Sequence, residues 1–220
     1  MSIASKITEI NANLPGTTRL VAVSKFHPAP AIQEAYDAGQ RIFGESKVQE
    51  LVEKQDLLPK DIEWHFIGHL QTNKVKYIIP FISFIHSADT VKLLEVINKQ
   101  AEKQRRIINC LLEIHIARED TKYGFTIEEA RSLFEKNTLG KFENVCIRGF
   151  MGMASLTDDM RKIRTEFRTL SAFFNEIKEK YAPWFDTLSM GMTDDYKIAI
   201  EEGSTLIRIG SYIFGNRGND

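Results

Sequence analysis

The stretch RLVAVSKFHPAPAIQEAYDAGQRIFGE, residues 19–45, contains two short apolar runs on either side of a segment with helical periodicity. The runs at 19–25 and 41–45 are short and contain β-branched residues, which is typical of buried strands. Between them, the apolar residues of 29–39 recur every three to four positions, as on one face of a helix. This stretch therefore predicts two parallel strands joined by a right-handed helical crossover.

The same alternation continues along the rest of the chain. The predicted strands cover residues 19–25, 41–45, 63–68, 84–88, 108–116, 144–152, 187–191 and 206–211, and the predicted helices cover 29–39, 47–58, 73–80, 90–104, 127–137, 158–181 and 195–202. This pattern fits a closed barrel or an open doubly wound sheet. The sequence has no Gly-rich dinucleotide fingerprint after the first strand, where an open nucleotide-binding sheet would carry it. We expect one domain over residues 1–220, which is compact for a (β/α)8 TIM barrel.

The composition is that of an ordinary globular protein, with 43% hydrophobic and 27% charged residues. With 29 basic and 30 acidic residues, the chain shows no excess of positive charge that would favour a nucleic acid or an anionic membrane. Residues 1–16 are polar, and no apolar run reaches the roughly 18 to 20 residues that span a bilayer. We therefore expect a cytoplasmic protein. Cys110 and Cys146 are expected to be reduced core thiols, with a reactive or bridging pair as the alternative.

Two predicted helices begin with residues typical of a capping box. Ser46 with Gln49, and Thr126 with Glu129, have the spacing at which two side chains satisfy the free backbone N–H groups of a helix start. In the longest helix, apolar residues recur in steps of three and four, which predicts a stripe that faces the core. The stripe consists of Ile163, Phe167, Leu170, Phe174, Ile177 and Tyr181. The basic residues of 161–168 are expected to form the solvated face of this helix.

In a barrel of this kind, functional side chains lie at the C-terminal ends of the strands. Lys25 lies at the end of the first predicted strand, directly after the apolar run LVAVS. A lysine at the rim of a pocket of low dielectric has its ammonium form disfavoured, so its neutral amine becomes a usable nucleophile. The alternative is a lysine that reaches solvent from the end of a strand. The other residues expected at this end are Glu45, Ser46, His69, Met151, Met153, 189–192 and 208–211.

The last two predicted strands carry residues suited to binding a phosphate. Gly210 allows close approach of the backbone, and Ser211 offers a hydroxyl and an N–H at the start of a short final helix. Ser189 and Gly191 come from the matching position on the seventh strand, and such barrels often bind phosphate at the loops after strands seven and eight. Arg208 lies two residues before Gly210 and therefore points into the barrel. Its partner is either a structural carboxylate or a ligand.

The histidines do not predict a metal site. His65 and His69 have the spacing of a helical zinc pair, but residues 64–68 are predicted to form a strand, in which four residues span roughly 13 Å and cannot chelate one ion. His86 and His115 are expected to be strand residues with their hydrogen bonds satisfied in the core or at the rim.

The sequence as a whole resembles the pyridoxal phosphate (PLP) homeostasis protein family, also called the proline-synthetase co-transcribed family. The matching segments extend in order from about residue 19 to residue 217. They are LVAVSKFHP, RIFGESKVQE, EWHFIGHLQTNK, TKYGF, RGFMGMAS, LSMGMTDDYKIAIEEGST and LIRIGSYIFGNR. The chain departs from the family at Ser46, where a GEN motif usually has Asn, and modestly in the GFMGMAS segment.

This resemblance implies a PLP-binding barrel of fold-type III, like the barrel domain of alanine racemase. It implies that Lys25 carries PLP as a Schiff base and that Arg208 lies at the pyridine nitrogen of PLP. It also implies that Ser189, Gly210 and Ser211 surround the phosphate.

An arginine at the pyridine nitrogen keeps that nitrogen unprotonated and weakens the cofactor as an electron sink. Related racemases add a tyrosine from a second domain, whereas this sequence ends ten residues after Gly210. We therefore expect a monomeric, non-catalytic PLP-binding protein that acts in PLP (vitamin B6) homeostasis and supplies PLP-acceptor enzymes. The first alternative is a small racemase or lyase, with Lys25 as base and His69 or Tyr212 as acid. The second is a phosphosugar aldolase whose substrate forms the Schiff base with Lys25.

Overall fold

A computed structural model describes residues 1–117 and 123–215. Its strands form a closed parallel barrel in which each strand pairs with the next one along the chain. The strands are β1 (Arg19–Val23), β2 (Ile42–Glu45), β3 (Glu63–Phe66), β4 (Phe84–Ala88), β5 (Ile108–Glu113), β6 (Val145–Met151), β7 (Thr187–Ser189) and β8 (Leu206–Ile209). Pairing of Arg19 with Leu206 and of Ala22 with Ile209 joins β1 to β8. The closed barrel is thereby confirmed, and the open sheet is excluded.

Helices follow the strands and cover the outside of the barrel, as the hydrophobic pattern predicted. They are α1 (Ile3–Asn13), α2 (Ala29–Asp37), α3 (Val48–Leu57), α4 (Val75–Ile78), α5 (Val91–Lys103), α6 (Ile127–Glu135), α7 (Met160–Lys180), α8 (Tyr196–Glu201) and α9 (Ser211–Phe214). Short 3-10 turns cover Thr72–Lys74 and Thr138–Lys141. Helix α1 was not predicted, although Ile3, Ile7 and Ile10 have helical spacing and the last two are buried. Among the described helices, none is long and apolar enough to cross a membrane.

One of the two predicted capping boxes is present. At α6, the Glu129 N–H donates to Thr126 Oγ1 at 3.1 Å, and the Thr126 N–H donates to Glu129 Oε2 at 2.8 Å. The prediction for Ser46 is wrong, because α3 begins one residue later, with Lys47 in the N-cap position and no side-chain cap. The backbone of Ser46 instead packs so tightly against Gly68 that no side chain could replace that glycine without a shift.

The stripe on α7 packs into the core as predicted, except at its last residue. Ile163, Phe167, Leu170, Phe174 and Ile177 are buried, whereas Tyr181 is 38% exposed and lies just beyond the end of the helix. On the other face, Arg164 and Arg168 pair with Glu202, directly after α8, at 2.8 and 3.0 Å. Both cysteines are free; Cys110 is buried, as expected of a core thiol, but Cys146 is only half-buried.

Candidate functional site

A cavity of about 590 Å³ opens at the C-terminal end of the barrel, where β1 and β8 meet. Its volume lies within the range of about 300 to 1,000 Å³ that is usual for small-molecule sites. Lys25, Arg208, Gly210 and Ser211 all line this cavity. Ile67, Met153 and Met192 supply apolar wall, while Thr193 and Asp194 add polar groups. The structure therefore brings together four of the six residues predicted for the site.

Lys25 lies just beyond β1, at the start of a tight turn. The next residue, Phe26, has a left-handed backbone conformation with φ of +68°, which is unusual for a residue with a side chain. His27 follows and stacks on Phe214 of α9, with ring centroids 5.1 Å apart. Burial and the nearby Lys54 ammonium lower the pKa of His27 below its ordinary value, which favours the neutral imidazole.

Beneath this turn lies an ion cluster, formed by Glu45, Glu50 and Lys54 together with Ser24. The Lys54 ammonium is 7% exposed and donates to Glu45 Oε1 at 2.7 Å, Glu50 Oε1 at 2.6 Å and the Ser24 carbonyl at 2.8 Å. The Ser24 hydroxyl also donates to Glu45 Oε1 at 2.6 Å. Burial raises the pKa of Glu45, while Lys54 and Ser24 oppose that shift by stabilising the carboxylate.

Glu45 was predicted to lie at this end of the barrel, but Glu50 and Lys54 were not predicted to belong to the site. A signal was available, because Leu51, Lys54 and Leu58 are spaced like the buried face of a helix, and all three are buried. A lysine in such a position needs a buried partner, and here β2 supplies it.

Arg208 is 5% exposed and is held by Ser189 of the neighbouring strand β7 and by Gly152, directly after β6. Its Nη1 donates to the Ser189 carbonyl at 2.9 Å and to Ser189 Oγ at 2.6 Å, and its Nη2 donates to the Gly152 carbonyl at 3.3 Å. Burial lowers the pKa of Arg208 to about 10, so the guanidinium stays charged at neutral pH. These contacts use only part of the donor capacity of the guanidinium, and the side chain also borders the cavity.

A chain of neutral side chains, Ser189, His86 and His65, continues from Arg208 into the barrel. Ser189 Oγ lies 3.1 Å from His86 Nδ1, and His86 Nε2 lies 3.0 Å from His65 Nδ1. Since arginine only donates, the order in which each link has one donor and one acceptor runs from Arg208 through Ser189 and His86 to His65. Burial lowers the pKa of His86, and that of His65 to about 3, so both rings are neutral. The expectation that His86 has its hydrogen bonds satisfied in the core is confirmed.

The residues predicted to bind phosphate fall into two groups. Gly210 and Ser211 reach the cavity, where Ser211 Oγ donates to Thr193 Oγ1 at 3.0 Å and the first N–H groups of α9 lack helical acceptors. At Gly210, a side chain would lie 3.0 Å from the Val23 carbonyl of β1. Ser189 and Gly191 are buried and do not line the cavity; Ser189 holds Arg208, and Gly191 packs against Ala199 of α8.

His69 lies in a different cavity, of about 770 Å³, with Asp89 and Tyr123. Its Nδ1 is 2.9 Å from Asp89 Oδ2, and its ring packs on Tyr123 with centroids 4.2 Å apart. Nearby, burial and the charge of Asp89 raise the pKa of Glu113 to about 7. The other candidate acid, Tyr212, donates its hydroxyl proton to Glu9 at 2.8 Å. Neither His69 nor Tyr212 lines the cavity that contains Lys25.

His65 and His69 have different partners, His86 and Asp89 respectively. Within residues 1–117 and 123–215, no cluster of three histidine, cysteine or acidic side chains is arranged to hold a metal ion.

Comparison with known proteins identifies the family. Residues 1–218 match the family model described as the N-terminal domain of alanine racemase. The chain is 38% identical over 219 residues to the pyridoxal phosphate homeostasis protein of Haemophilus influenzae, a match that covers 98% of this chain and 91% of that protein. It belongs to the PLP homeostasis protein family. The family member from Aquifex aeolicus is likewise 38% identical, over 200 residues that cover 90% of this chain and 87% of the relative.

Solved structures of other proteins have a similar fold. PipY of Synechococcus elongatus, solved with PLP bound, is 36% identical and superposes with a TM-score of 0.88 over 97% of this chain and all of PipY. The alanine racemase of E. faecalis is 16% identical, with a TM-score of 0.73 over 99% of this chain and 59% of the racemase. At that identity the likeness to the racemase concerns the fold alone.

Proposed function

We propose that this protein holds PLP as a Schiff base on Lys25 and acts in PLP homeostasis without being an enzyme. One observation carries the proposal: a single cavity at the C-terminal end of the barrel joins the Lys25 side chain, the buried Arg208 guanidinium and the amino end of α9. Relatives named PLP homeostasis proteins and the PLP-bound PipY support the choice of ligand.

The groups at the cavity fit the chemistry of PLP. An aldehyde requires an amine, which Lys25 supplies. A phosphate requires N–H and hydroxyl donors, which the amino end of α9 and Ser211 provide. A pyridine nitrogen accepts a hydrogen bond, and Arg208 is a donor fixed in place by Ser189. When bound, PLP would supply a reactive aldehyde, which the Lys25 amine would hold and release again.

Of the four residues predicted around the phosphate, two would contact it and two would support its neighbours. We assign Gly210 and Ser211 to direct binding, because both line the cavity. Ser189 and Gly191 act on the ligand through their neighbours, since Ser189 orients Arg208 and Gly191 shapes the loop before α8.

Two features support a carrier rather than a racemase or lyase. Arg208 retains its positive charge, so a pyridine nitrogen beside it would stay unprotonated and would serve poorly as an electron sink. The two candidate acids, His69 and Tyr212, bind Asp89 and Glu9 instead of lining the cavity.

The test is to reduce the purified protein with borohydride, with and without added PLP, and to map the modified peptide. We expect the adduct on Lys25 in the wild type and its loss in Lys25→Ala. Lys47→Ala is the matched control, because Lys47 Nζ lies 4.8 Å from the neighbouring Phe26 ring, and it should keep the adduct. A wild type that forms no adduct with PLP would overturn the proposal and favour the aldolase.

A second assay separates the carrier from the racemase. Incubation of the PLP-loaded protein with single enantiomers of alanine and other amino acids should give no stereospecific conversion. Turnover that disappears in Lys25→Ala would contradict the non-catalytic assignment.

The remaining expectations stay proposals of the same kind. They are a single PLP-binding domain over residues 1–220, a monomer, a cytoplasmic location, and transfer of PLP to acceptor enzymes. Sedimentation of the purified protein tests the monomer directly.

A further inference from the structure

The backbone on both sides of Lys25 is held by side chains of one helix, α3. Before Lys25, the Ser24 carbonyl accepts from Lys54 Nζ at 2.8 Å. After it, the Phe26 N–H donates to Glu50 Oε1 at 2.6 Å. Glu50 and Lys54 are joined to each other at 2.6 Å across one turn of the helix. One ion pair thus fixes both peptide groups that flank Lys25.

The conformation that this ion pair holds is a costly one. Phe26 has φ of +68°, a region that residues with a Cβ avoid because the side chain crowds the following carbonyl. Such a conformation persists only where the surroundings supply compensating contacts. The Glu50 carboxylate gives the Phe26 N–H a charged acceptor, which makes a stronger hydrogen bond than a neutral one.

Lys54 is itself fixed by three hydrogen bonds. Its ammonium has three N–H donors, and three acceptors lie within 2.8 Å, on Glu45, Glu50 and Ser24. Lys54 is buried, and Glu45 is completely covered by protein. Glu45 also accepts a hydrogen bond from the Ser24 hydroxyl, so both the side chain and the carbonyl of Ser24 are hydrogen-bonded to the cluster.

We infer that Glu50 and Lys54 are positioning residues for Lys25: they hold the turn in the conformation that presents the Lys25 amine to the cavity. This inference rests on the proposed PLP-binding function. In the reaction that they support, the Lys25 nitrogen adds to the aldehyde carbon, a C=N bond replaces the C=O bond, and water leaves.

The experiment measures how fast each PLP-free variant forms the Schiff base after mixing with PLP, by stopped-flow absorbance over a range of pH. Glu50→Ala removes the charged acceptor of the Phe26 N–H and should slow the reaction about tenfold, since the left-handed turn loses one of the contacts that compensate its cost. Glu50→Gln keeps an acceptor oxygen but loses the charge, so its rate should fall between those of the wild type and Glu50→Ala. Glu53→Ala, an exposed position on the same helix, is the matched control and should match the wild type.

A second variant covers the case in which Glu50→Ala does not fold. Glu50→Asp keeps the negative charge of the cluster but withdraws the carboxylate from both the Phe26 N–H and Lys54. It should therefore slow the reaction with a smaller loss of stability than Glu50→Ala. Equal rates for the wild type and every foldable Glu50 variant would overturn the positioning role. That result differs from failure of the proposed function, in which the wild type itself forms no Schiff base.

Discussion

Lys25 and Arg208 line the same cavity, yet the side chains that support them are of opposite kinds. Beneath Lys25 lies a cluster of full charges, in which the Lys54 ammonium joins Glu45 and Glu50. Beneath Arg208 lies the neutral Ser189–His86–His65 chain, whose two rings are kept uncharged by burial.

The difference determines how each side of the cavity responds to perturbation. In an intact buried ion pair, the cost of desolvation and the attraction between the two charges nearly cancel. Removal of one partner leaves the other charge buried without compensation. A chain of neutral groups loses only hydrogen bonds when it is cut, although the buried imidazoles resist protonation. The Lys25 side should therefore be sensitive to loss of a single charge, and the Arg208 side to acid.

The largest effect is expected from Lys54→Met. It leaves Glu45 buried without its cation and should lower the free energy of unfolding by about 3–5 kcal/mol at neutral pH. Urea unfolding, followed by circular dichroism, measures the change.

Two further variants sharpen this measurement. Lys60→Met removes an exposed ion pair with a separation of 3.9 Å and should change stability by less than about 0.5 kcal/mol. Adding Glu45→Gln to Lys54→Met removes the stranded charge and should restore part of the loss. A double variant no more stable than Lys54→Met alone would show that packing, not charge, dominates the cluster.

A smaller effect is expected from His86→Leu, which cuts the neutral chain. The Ser189 hydroxyl and His65 each lose a partner, so the free energy of unfolding should fall by about 1–3 kcal/mol. A double-mutant cycle with Ser189→Ala should reveal coupling, because the two side chains are in contact at 3.1 Å. Strictly additive losses would mean that the chain does not act as a unit.

The difference between the two sides also explains which parts of the site could be predicted from the sequence. Strands, most helices and the position of Lys25 follow from local periodicity, which the barrel leaves intact. The spacing of apolar residues in α3 puts Lys54 on the buried face of that helix. It does not reveal the partner of Lys54, because Glu45 comes from β2. The contact between His65 and His86 likewise depends on the register of neighbouring strands. The inward direction of Arg208 was predicted because alternation along a strand is local.

Acid should weaken the Arg208 side through its histidines. The pKa of His65 is about 3 in the folded protein, below its ordinary value of 6.5, so the unfolded chain binds more protons between these values. Stability is therefore lost as the pH falls below about 6.5. In the wild type, the free energy of unfolding should fall as the pH drops from 6.5 to 5. We expect this decrease to be smaller by about 2 kcal/mol in His65→Asn. An unchanged difference between these two pH values would indicate that His65 is protonated in the folded protein.

The smallest effect is expected at Glu113, whose shift has the opposite sign. Burial and the charge of Asp89 raise its pKa from 4.5 to about 7, so the folded protein binds the additional proton between these values. The stability that Glu113 contributes is complete below about pH 4.5 and is lost as the pH rises through about 7. Glu113→Gln keeps the shape without the charge and should raise the free energy of unfolding by about 1 kcal/mol more at pH 6 than at pH 5, because the unfolded chain loses its proton in this interval while the folded protein keeps it. If the substitution changes the free energy of unfolding equally at both pH values, the effect comes from packing, because the cost of the Glu113 charge depends on pH.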